Sequence, residues 1–282
     1  VRGKRGRRRF VYELPWYIII GPPGSGKTTI LRNSGLDFPL AEQLGTDSIE
    51  GIGGTRNCDW WFTDQAVLID TAGRYTTQEV SLEVDRTAWR SFLDLLKTFR
   101  PRRPINGVIV TISLSDILTQ SSEERLVHVD AIRRRIEELI HSFRMRLPVY
   151  VVFSKCDLVA GFTDFFDDLD VEERAHVLGM TFPYDKNSEA KDPLSSFNEF
   201  FDEILRRLTR RVRGRLHQES NVSRRGRIYT FPHQMAAIRG QVGQFLHDVF
   251  RISRFKTSPI LRGVYFSSGT QEGTPIDRLM RA

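Results

Sequence analysis

The sequence predicts an α/β protein with a mostly parallel sheet and helices on both faces. Three observations support this prediction. Short apolar runs recur along the chain, segments with helical apolar spacing separate them, and a glycine-rich loop follows the first run. Continuous apolar strands that alternate with helices are typical of a parallel sheet buried on both faces.

Each predicted strand is a short run rich in aromatic and β-branched residues. Two of these runs flank the polar turn at 63–65, a pattern that is typical of a hairpin. The predicted strands are residues 16–20, 60–62, 66–70, 107–112, 148–153, 227–231 and 263–266.

Helices are predicted where apolar residues recur at three- and four-residue spacing. Ser121 and Glu124 form a capping box that opens one helix, and Pro101 with Pro104 ends the helix before it. The predicted helical segments are residues 29–32, 89–99, 121–143, 204–216 and 234–251.

An acidic stretch with three phenylalanines runs from residue 162 to 183. Its carboxylates do not follow the spacing of a calcium-binding loop. A capped surface helix anchored by Phe162, Phe165 and Phe166 is therefore favoured over a metal site.

The glycine-rich loop fits the pattern G-x-x-x-x-G-K-[ST] at every fixed position, between a predicted strand and a predicted helix. Glycines let successive backbone N–H groups converge on phosphate oxygens. Lys27 would reach the β- and γ-phosphates, and the Thr28 hydroxyl could ligate Mg²⁺. The loop therefore predicts a site for Mg²⁺ with GTP or ATP, formed by Gly21, Pro22, Pro23, Gly24, Ser25, Gly26, Lys27, Thr28 and Thr29.

Two further segments extend this predicted site. Asp70 and Gly73 end an apolar strand in a D-x-x-G pattern, in which the aspartate would hold Mg²⁺ and the glycine N–H would sense the γ-phosphate. Thr55, after a Gly-Gly pair, would complete the Mg²⁺ shell in a switch-type loop, or would belong to a flexible turn. The predicted metal ligands are thus Thr28, Thr55 and Asp70.

Residues 154–157, S-K-C-D, end another predicted strand and resemble the N/T-K-x-D motif that reads guanine. Asp157 would accept hydrogen bonds from the base, and the Lys155 stem would cover the ring. Serine replaces the usual Asn or Thr, which leaves base selectivity open. The order of the four segments indicates a P-loop NTPase of the GTPase type.

The residue after D-x-x-G is a glutamine in many GTPases, where it orients the attacking water, and here it is Arg74. Hydrolysis is therefore expected to be slow or to depend on a partner. Arg74 or Arg56 could act as an internal arginine finger, or form a surface salt bridge. The predicted catalytic residues are Lys27, Thr55 and Arg74.

Composition limits the classes of protein that need to be considered. The 282 residues are 40% hydrophobic and 27% charged, which is ordinary for a globular protein. No apolar run approaches the ~20 residues of a membrane-spanning helix. The two cysteines, Cys58 and Cys156, follow no metal-ligand spacing, and we expect them to be reduced thiols.

Positive charge is concentrated at the start of the chain. The net charge is +7, and most of it comes from Arg2, Lys4, Arg5, Arg7, Arg8 and Arg9. Such an arm is a tether for nucleic acid or anionic lipid, or a solvated end.

We expect residues 1–13 to be a flexible basic arm. Residues 14–282 would form the nucleotide-binding domain, with a helical stretch inserted near 160–195 and a helix-strand extension at the carboxyl end.

Four long and unusual strings resemble the cytoplasmic N-terminal region of the TssM/IcmF family, and the likeness extends over nearly the whole chain. They are residues 14–17, 51–62, 70–78 and 263–275. Members of this family are inner-membrane proteins of the bacterial type VI secretion system, and IcmF is the related component of type IV systems. The chain begins with Val1, so we expect a fragment of a longer protein.

The resemblance implies membrane helices outside this chain and a domain on the cytoplasmic side of the inner membrane. It also implies TssL, TssJ and the baseplate as partners. The basic arm would then be a juxtamembrane segment, and nucleic acid is not expected as a partner. Two functions follow. The domain is an NTPase whose turnover drives or times assembly, or a scaffold that uses nucleotide, if at all, as a structural staple.

Overall fold

The computed structural model describes residues 12–38, 58–77, 82–174, 176–183, 197–251 and 259–269. Within these ranges the strands form one seven-stranded sheet, in the order β2-β3-β1-β4-β5-β7-β6. The strands are β1 (Trp16–Ile20), β2 (Cys58–Phe62), β3 (Val67–Thr71), β4 (Gly107–Ser113), β5 (Pro148–Ser154), β6 (Leu178–Thr181) and β7 (Ile260–Phe266).

Helices connect most of these strands. They are α1 (Lys27–Arg32), α2 (Arg74–Thr77), α3 (Leu82–Phe99), α4 (Leu114–Thr119), α5 (Ser122–Phe143), α6 (Phe162–Phe166), α7 (Val171–Arg174), α8 (Phe197–Gln218) and α9 (Val222–Phe250), with a short 3₁₀ turn at Cys156–Leu158.

The sheet is parallel from β3 through β1, β4 and β5 to β7, and the two edge strands β2 and β6 run antiparallel to their neighbours. Alternate residues of β1 enter two separate apolar clusters. Ile18 and Ile20 join the larger cluster, whereas Ile19 packs with Leu31 of α1 in the smaller one. This alternation is what a strand covered on both faces requires, and the predicted α/β class with a mostly parallel sheet is confirmed.

One predicted strand is wrong. Residues 227–231 lie inside α9, which begins at Val222 after the capping residue Asn221. Asn221 Oδ1 accepts a hydrogen bond from Arg224 N at 3.1 Å. Ile228 and Phe231 are both fully buried. Their three-residue spacing puts them on one face of a helix, and it would also fit a strand that is buried on both faces. Pro232 continues the helix, so the proline that follows residues 227–231 does not mark a boundary.

The acidic stretch holds two short helices, α6 and α7, and the unpredicted strand β6. Three of its aspartates, Asp164, Asp167 and Asp168, are paired with arginines of α8 and α9. Arg227 Nε lies 2.6 Å from Asp164 Oδ2, and this contact is the main reason that the pKa of Asp164 is lowered. The buried Arg215 donates to the Phe165 carbonyl at 3.1 Å. Among the described residues, no group of His, Cys, Asp or Glu has the arrangement of a metal site.

Several predicted features lie outside the described residues. They are most of the basic arm (residues 1–11), the Thr55 and Arg56 loop, and residues 184–195 of the inserted stretch near 160–195. Along the described part of the chain, no helix is both long enough and apolar enough to cross a membrane.

Candidate functional site

The candidate site lies at the edge of the sheet where the parallel strands end. β1 ends at Ile20, residues 21–26 turn, and α1 begins at Lys27. Gly24 and Gly26 have φ angles of 71° and 80°, in the left-handed region that glycine adopts without strain. No heavy atom lies within 4 Å of where a Gly24 Cβ would stand. The backbone of the loop is therefore open on the side of Gly24.

The Lys27 ammonium is enclosed by its own loop. Lys27 Nζ donates to the Gly21 carbonyl at 2.9 Å and to the Pro22 carbonyl at 3.0 Å. The side chain is only 7% exposed. Burial lowers the pKa of Lys27 to about 8, although the nearby Asp70 carboxylate opposes the shift. A buried cation held by neutral carbonyls is a site in which an anion would be stabilised.

Thr28 and Asp70, two of the predicted metal ligands, are in direct contact. Thr28 Oγ1 donates to Asp70 Oδ2 at 2.6 Å, and Asp70 is fully buried at the end of β3. A hydroxyl beside a carboxylate is an oxygen donor set that suits Mg²⁺, which usually keeps several waters and takes one or two carboxylates. These residues therefore fit the predicted ion. Thr55, the third predicted ligand, lies outside the described residues.

The D-x-x-G segment packs directly on the glycine loop. A Cβ at Gly73 would stand 2.5 Å from Pro23 N and 2.6 Å from Pro23 Cα, so only glycine allows this approach. Three residues further on, Thr76 Oγ1 accepts a hydrogen bond from Gly21 N at 3.3 Å. The two segments are therefore in direct contact.

A second strand end holds the loop from the other side. Ser154, at the end of β5, donates from Oγ to the Ser25 carbonyl at 2.7 Å. Its hydroxyl therefore contacts the glycine loop, which explains why a short polar residue suffices at this position. Gly21 fits equally closely against β4, because its Cβ would lie 2.1 Å from the Thr111 carbonyl oxygen.

Asp157 is oriented by a residue that follows β7. Ser268 Oγ donates to Asp157 Oδ1 at 2.6 Å, and Ser267 bridges the two strand ends by backbone hydrogen bonds of 2.8 Å to Phe153 and 3.1 Å from Cys156. Lys155 has a φ of 57°, a left-handed conformation that is uncommon outside glycine and clusters at functional sites. Lys155 and Asp157 thus lie at the start of the short 3₁₀ turn that follows β5.

The segment after β7 reaches the glycine loop as well. The Gly269 carbonyl accepts a hydrogen bond from Asn33 Nδ2 at 3.2 Å, just beyond α1. A Gly269 Cβ would stand 2.8 Å from Thr29 Cγ2. The structure therefore brings Thr29, Asp157 and the residues around Ser268 to one side of α1.

Arg74 points toward α3. Its Nε lies 3.3 Å from Asp85 Oδ1, and its guanidinium lies over the Tyr75 ring at 5.4 Å from the centroid. The salt bridge that the sequence left open as an alternative is thus present. A catalytic role for Arg74 stays a prediction.

Sequence reasoning missed the residues that hold the site together. Ser268 stood in a string that carried the family resemblance, but nothing in its neighbourhood assigns it to Asp157. Thr76 and Ser154 contact the loop across 55 and 129 residues of chain. Only the sheet order brings such pairs together, so no local pattern could have found them.

The class of protein follows from the fold and the site: an α/β protein with a glycine loop, a buried lysine and a threonine–aspartate pair at one sheet edge. A family model described as the IcmF-related N-terminal domain matches residues 82–282. The chain therefore belongs to the TssM/IcmF family.

Two comparisons describe its relatives. The chain is 58% identical, over 281 residues, to the type VI secretion system component TssM1 of Pseudomonas aeruginosa PAO1. The match covers 99% of this chain and 26% of that protein, so the chain spans about a quarter of its length. A chain of the signal recognition particle receptor SRb-GTP/SRX complex from Chaetomium thermophilum is 18% identical, with a TM-score of 0.32. That match covers 54% of this chain and 76% of the other.

Proposed function

We propose that this domain binds a nucleoside triphosphate with Mg²⁺, on a P-loop fold of the GTPase type, within a type VI secretion membrane-complex protein. The observation that carries the proposal is the 2.6 Å hydrogen bond between Thr28 and Asp70, directly beside the buried Lys27 ammonium. A phosphate cradle, a cation and an oxygen donor pair are thereby next to one another, as nucleotide binding requires.

Each residue has a separate task in this proposal. The amides of residues 21–28 receive phosphate oxygens, and Lys27 exchanges its hydrogen bonds with Gly21 and Pro22 for bonds to the phosphates. Thr28 and Asp70 hold the ion, which when bound would neutralise charge on the β- and γ-phosphates. The Gly73 amide, in the segment that packs against Pro23, would respond to the γ-phosphate.

Calorimetric titration with ADP, ATP, GDP and GTP in Mg²⁺ tests the proposal. We expect saturable binding that is lost when EDTA replaces Mg²⁺, because Thr28 and Asp70 act through the ion. No heat of binding with any of the four nucleotides at millimolar concentration would refute it.

The Asp157 geometry favours a guanine base. A carboxylate can accept from both N1–H and the 2-amino group of guanine, whereas adenine offers no such pair of donors on that edge. The Ser268 hydroxyl holds one carboxylate oxygen in place. We therefore favour GTP over ATP.

For Asp157→Asn we predict an exchange of base preference. The amide keeps one acceptor for N1–H but presents a donor where the 2-amino group was, and xanthine has a carbonyl there. We expect GDP affinity to fall and XDP affinity to rise, each at least about tenfold, since an unpaired buried donor costs ~1–3 kcal/mol. Equal competition by ATP and GTP in both proteins, without any gain for XDP, would show that Asp157 does not read the base.

Affinity should also depend on pH through Lys27. Its pKa is about 8 because the side chain is buried, and bound phosphates stabilise the charged form, so the pKa rises on binding. GDP binding should therefore take up protons near and above pH 8, and the affinity should fall as the pH increases. Calorimetry at pH 8.5 in two buffers of different ionisation enthalpy measures this uptake. Zero uptake would contradict the assignment of Lys27 to the phosphates.

A domain that binds nucleotide could either hydrolyse it or use it only to stabilise its fold. Arg74 occupies the place of the usual glutamine and is paired with Asp85, which supports slow turnover or a non-hydrolysing scaffold. A bound nucleotide at a hundredfold excess over Kd stabilises the folded state by about 2.7 kcal/mol without chemistry. Phosphate release above background that disappears in Lys27→Ala would favour the enzyme. Equal release from both proteins would favour the scaffold.

We propose that the parent protein places this domain on the cytoplasmic side of the bacterial inner membrane. TssL, TssJ and baseplate proteins are its proposed partners there, through the full-length protein. Family membership and the TssM1 relative support this assignment. Nucleotide binding would then control or stabilise assembly of that complex.

A further inference from the structure

The parallel strands all begin at one level, opposite the glycine loop. Trp16 of β1 pairs with Val67 of β3, and Tyr17 pairs with Gly107 of β4. Pro148 of β5 pairs with Ile260 of β7. Since each of these residues is the first or second of its strand, the connections that lead into the strands share one end of the molecule.

This end is rich in exposed arginine. Two exposed arginines lie between α3 and β4, two lie between α5 and β5, and one follows α9. They are Arg102, Arg103, Arg144, Arg146 and Arg251, all exposed, and we call them the basic end. Exposed carboxylates in the neighbouring described connections are Glu13 and Asp64, so positive charge predominates.

Two phenylalanines border the basic end. Phe99, the last residue of α3, is 63% exposed, and Phe62, the last residue of β2, is 38% exposed. Phe62 stacks on Trp60 with ring centroids 6.2 Å apart. Trp60 in turn meets Trp16 edge-on at 5.2 Å. The basic end therefore has exposed phenylalanines at its border, and Phe62 is supported by packing against Trp60.

The chain enters the domain at the same end. Arg100 is 1% exposed and lies between two rings, 5.0 Å from the Tyr12 centroid and 4.6 Å from that of Trp16. The Tyr12 hydroxyl accepts a hydrogen bond from Arg102 N at 3.1 Å.

We infer that the basic end, with Phe62 and Phe99, is a docking surface for an anionic phospholipid bilayer. Arginines attract acidic headgroups, and aromatic side chains enter the interface between headgroups and acyl chains. The parallel strands would then point away from the membrane. The glycine loop would lie at their far end, about one strand length or ~20 Å from the bilayer surface. A nucleotide could exchange freely in this orientation.

A bilayer fits the observations better than a polynucleotide does. Nucleic-acid surfaces combine a basic groove with aromatic rings on which bases stack. Here the arginines occupy connections that end at one level, which suits a plane. The exposed phenylalanines lie at its border, on the last residues of α3 and β2.

Vesicle flotation of the 282-residue chain tests this inference. The vesicles are phosphatidylcholine alone, or phosphatidylcholine with about one-third phosphatidylglycerol, at ~0.1 M salt. Binding is expected only to the anionic vesicles and should weaken as salt is added. Arg102→Glu with Arg103→Glu should lower the partition coefficient at least about tenfold, since each basic residue near the surface contributes about a fivefold factor.

The matched control is Arg210→Glu with Arg213→Glu, which makes the same charge change at two exposed positions of α8. It should change binding less than about twofold. Equal losses in the two double variants would overturn the inference, because net charge or the basic arm alone would then explain binding. Equal binding to both vesicle types would also overturn it. Absence of vesicle binding would overturn it as well, and duplex-DNA binding that depends on Arg102 and Arg103 would then indicate a nucleic-acid surface.

Phe99→Ser separates the apolar contribution from the charge. It should lower the partition coefficient about threefold or more and leave the salt dependence unchanged, because no charge is lost. Because Phe99 is exposed, the substitution should not destabilise the fold, and an unchanged melting temperature would verify this. Unchanged binding would show that Phe99 does not enter the bilayer and would overturn the aromatic part of the surface.

Discussion

Lys27→Met is expected to abolish stabilisation by nucleotide without destabilising the protein itself. Methionine keeps the apolar stem and removes the ammonium that would bind the phosphates. In the wild type, a nucleotide at a hundredfold excess over Kd should add about 2.7 kcal/mol, or roughly 5–10 °C in melting temperature for a domain of this size. The variant should show no such shift.

The stability of the variant without nucleotide follows from the pKa of Lys27. Burial lowers that pKa to about 8, so the charged form is less stable in the folded chain than in the unfolded one. At pH 7 the ammonium therefore costs stability, which the wild type would recover only as the pH rises above 8. Lys27→Met should melt at the wild-type temperature or up to ~5 °C above it.

Thermal melts of both proteins at pH 7, with and without Mg²⁺ and GDP, measure both effects. A variant that still gains stability from the nucleotide would contradict the role of Lys27. A variant that melts far below the wild type without nucleotide would show instead that the hydrogen bonds to Gly21 and Pro22 stabilise the fold.

Gly73→Ala is expected to damage both the fold and the site. The new Cβ would overlap the Pro23 backbone at 2.5 Å, so either the glycine loop or the end of β3 must move. Overpacking of this kind typically costs 1–3 kcal/mol. Because Asp70 and Gly73 belong to one segment, the shift should also disturb the Thr28–Asp70 pair. We expect a fall of about 3–10 °C in melting temperature and at least a tenfold loss of nucleotide affinity.

Gly240→Ala is the matched control. Gly240 lies within α9, and no heavy atom is within 4 Å of its Cβ position. Alanine is preferred over glycine in a helix by about 0.5–1 kcal/mol, so this variant should be slightly more stable and bind nucleotide normally. If Gly73→Ala behaved like Gly240→Ala, the close packing of D-x-x-G on the loop would be wrong.

Local patterns were sufficient for most of the fold. β1 is a continuous apolar run, and the capping box at Ser121 forms as the sequence predicts, with both of its hydrogen bonds. The wrong strand prediction at residues 227–231 also has a physical reason. A five-residue window cannot distinguish a strand from a buried helix face, and here the packing of Ile228 and Phe231 decides.

The site was only partly accessible to sequence reasoning. Thr28 and Asp70 were predicted together because each belongs to a motif with a defined chemistry, and they lie in contact. The role of Ser154 was not predictable, because its hydroxyl contacts the Ser25 carbonyl from β5, and β4 separates β5 from β1 in the sheet. The arginine partners of Asp164 come from α9 and likewise depend on tertiary packing.

A crystal of the domain soaked in millimolar GDP with Mg²⁺ tests the central claim most directly. We expect density for the diphosphate between the amides of residues 21–28, with Lys27 Nζ turned from the Gly21 carbonyl to a phosphate oxygen. The ion should lie against Thr28 Oγ1. A loop that remains closed over Lys27, with no density for phosphate, would contradict nucleotide binding by this domain.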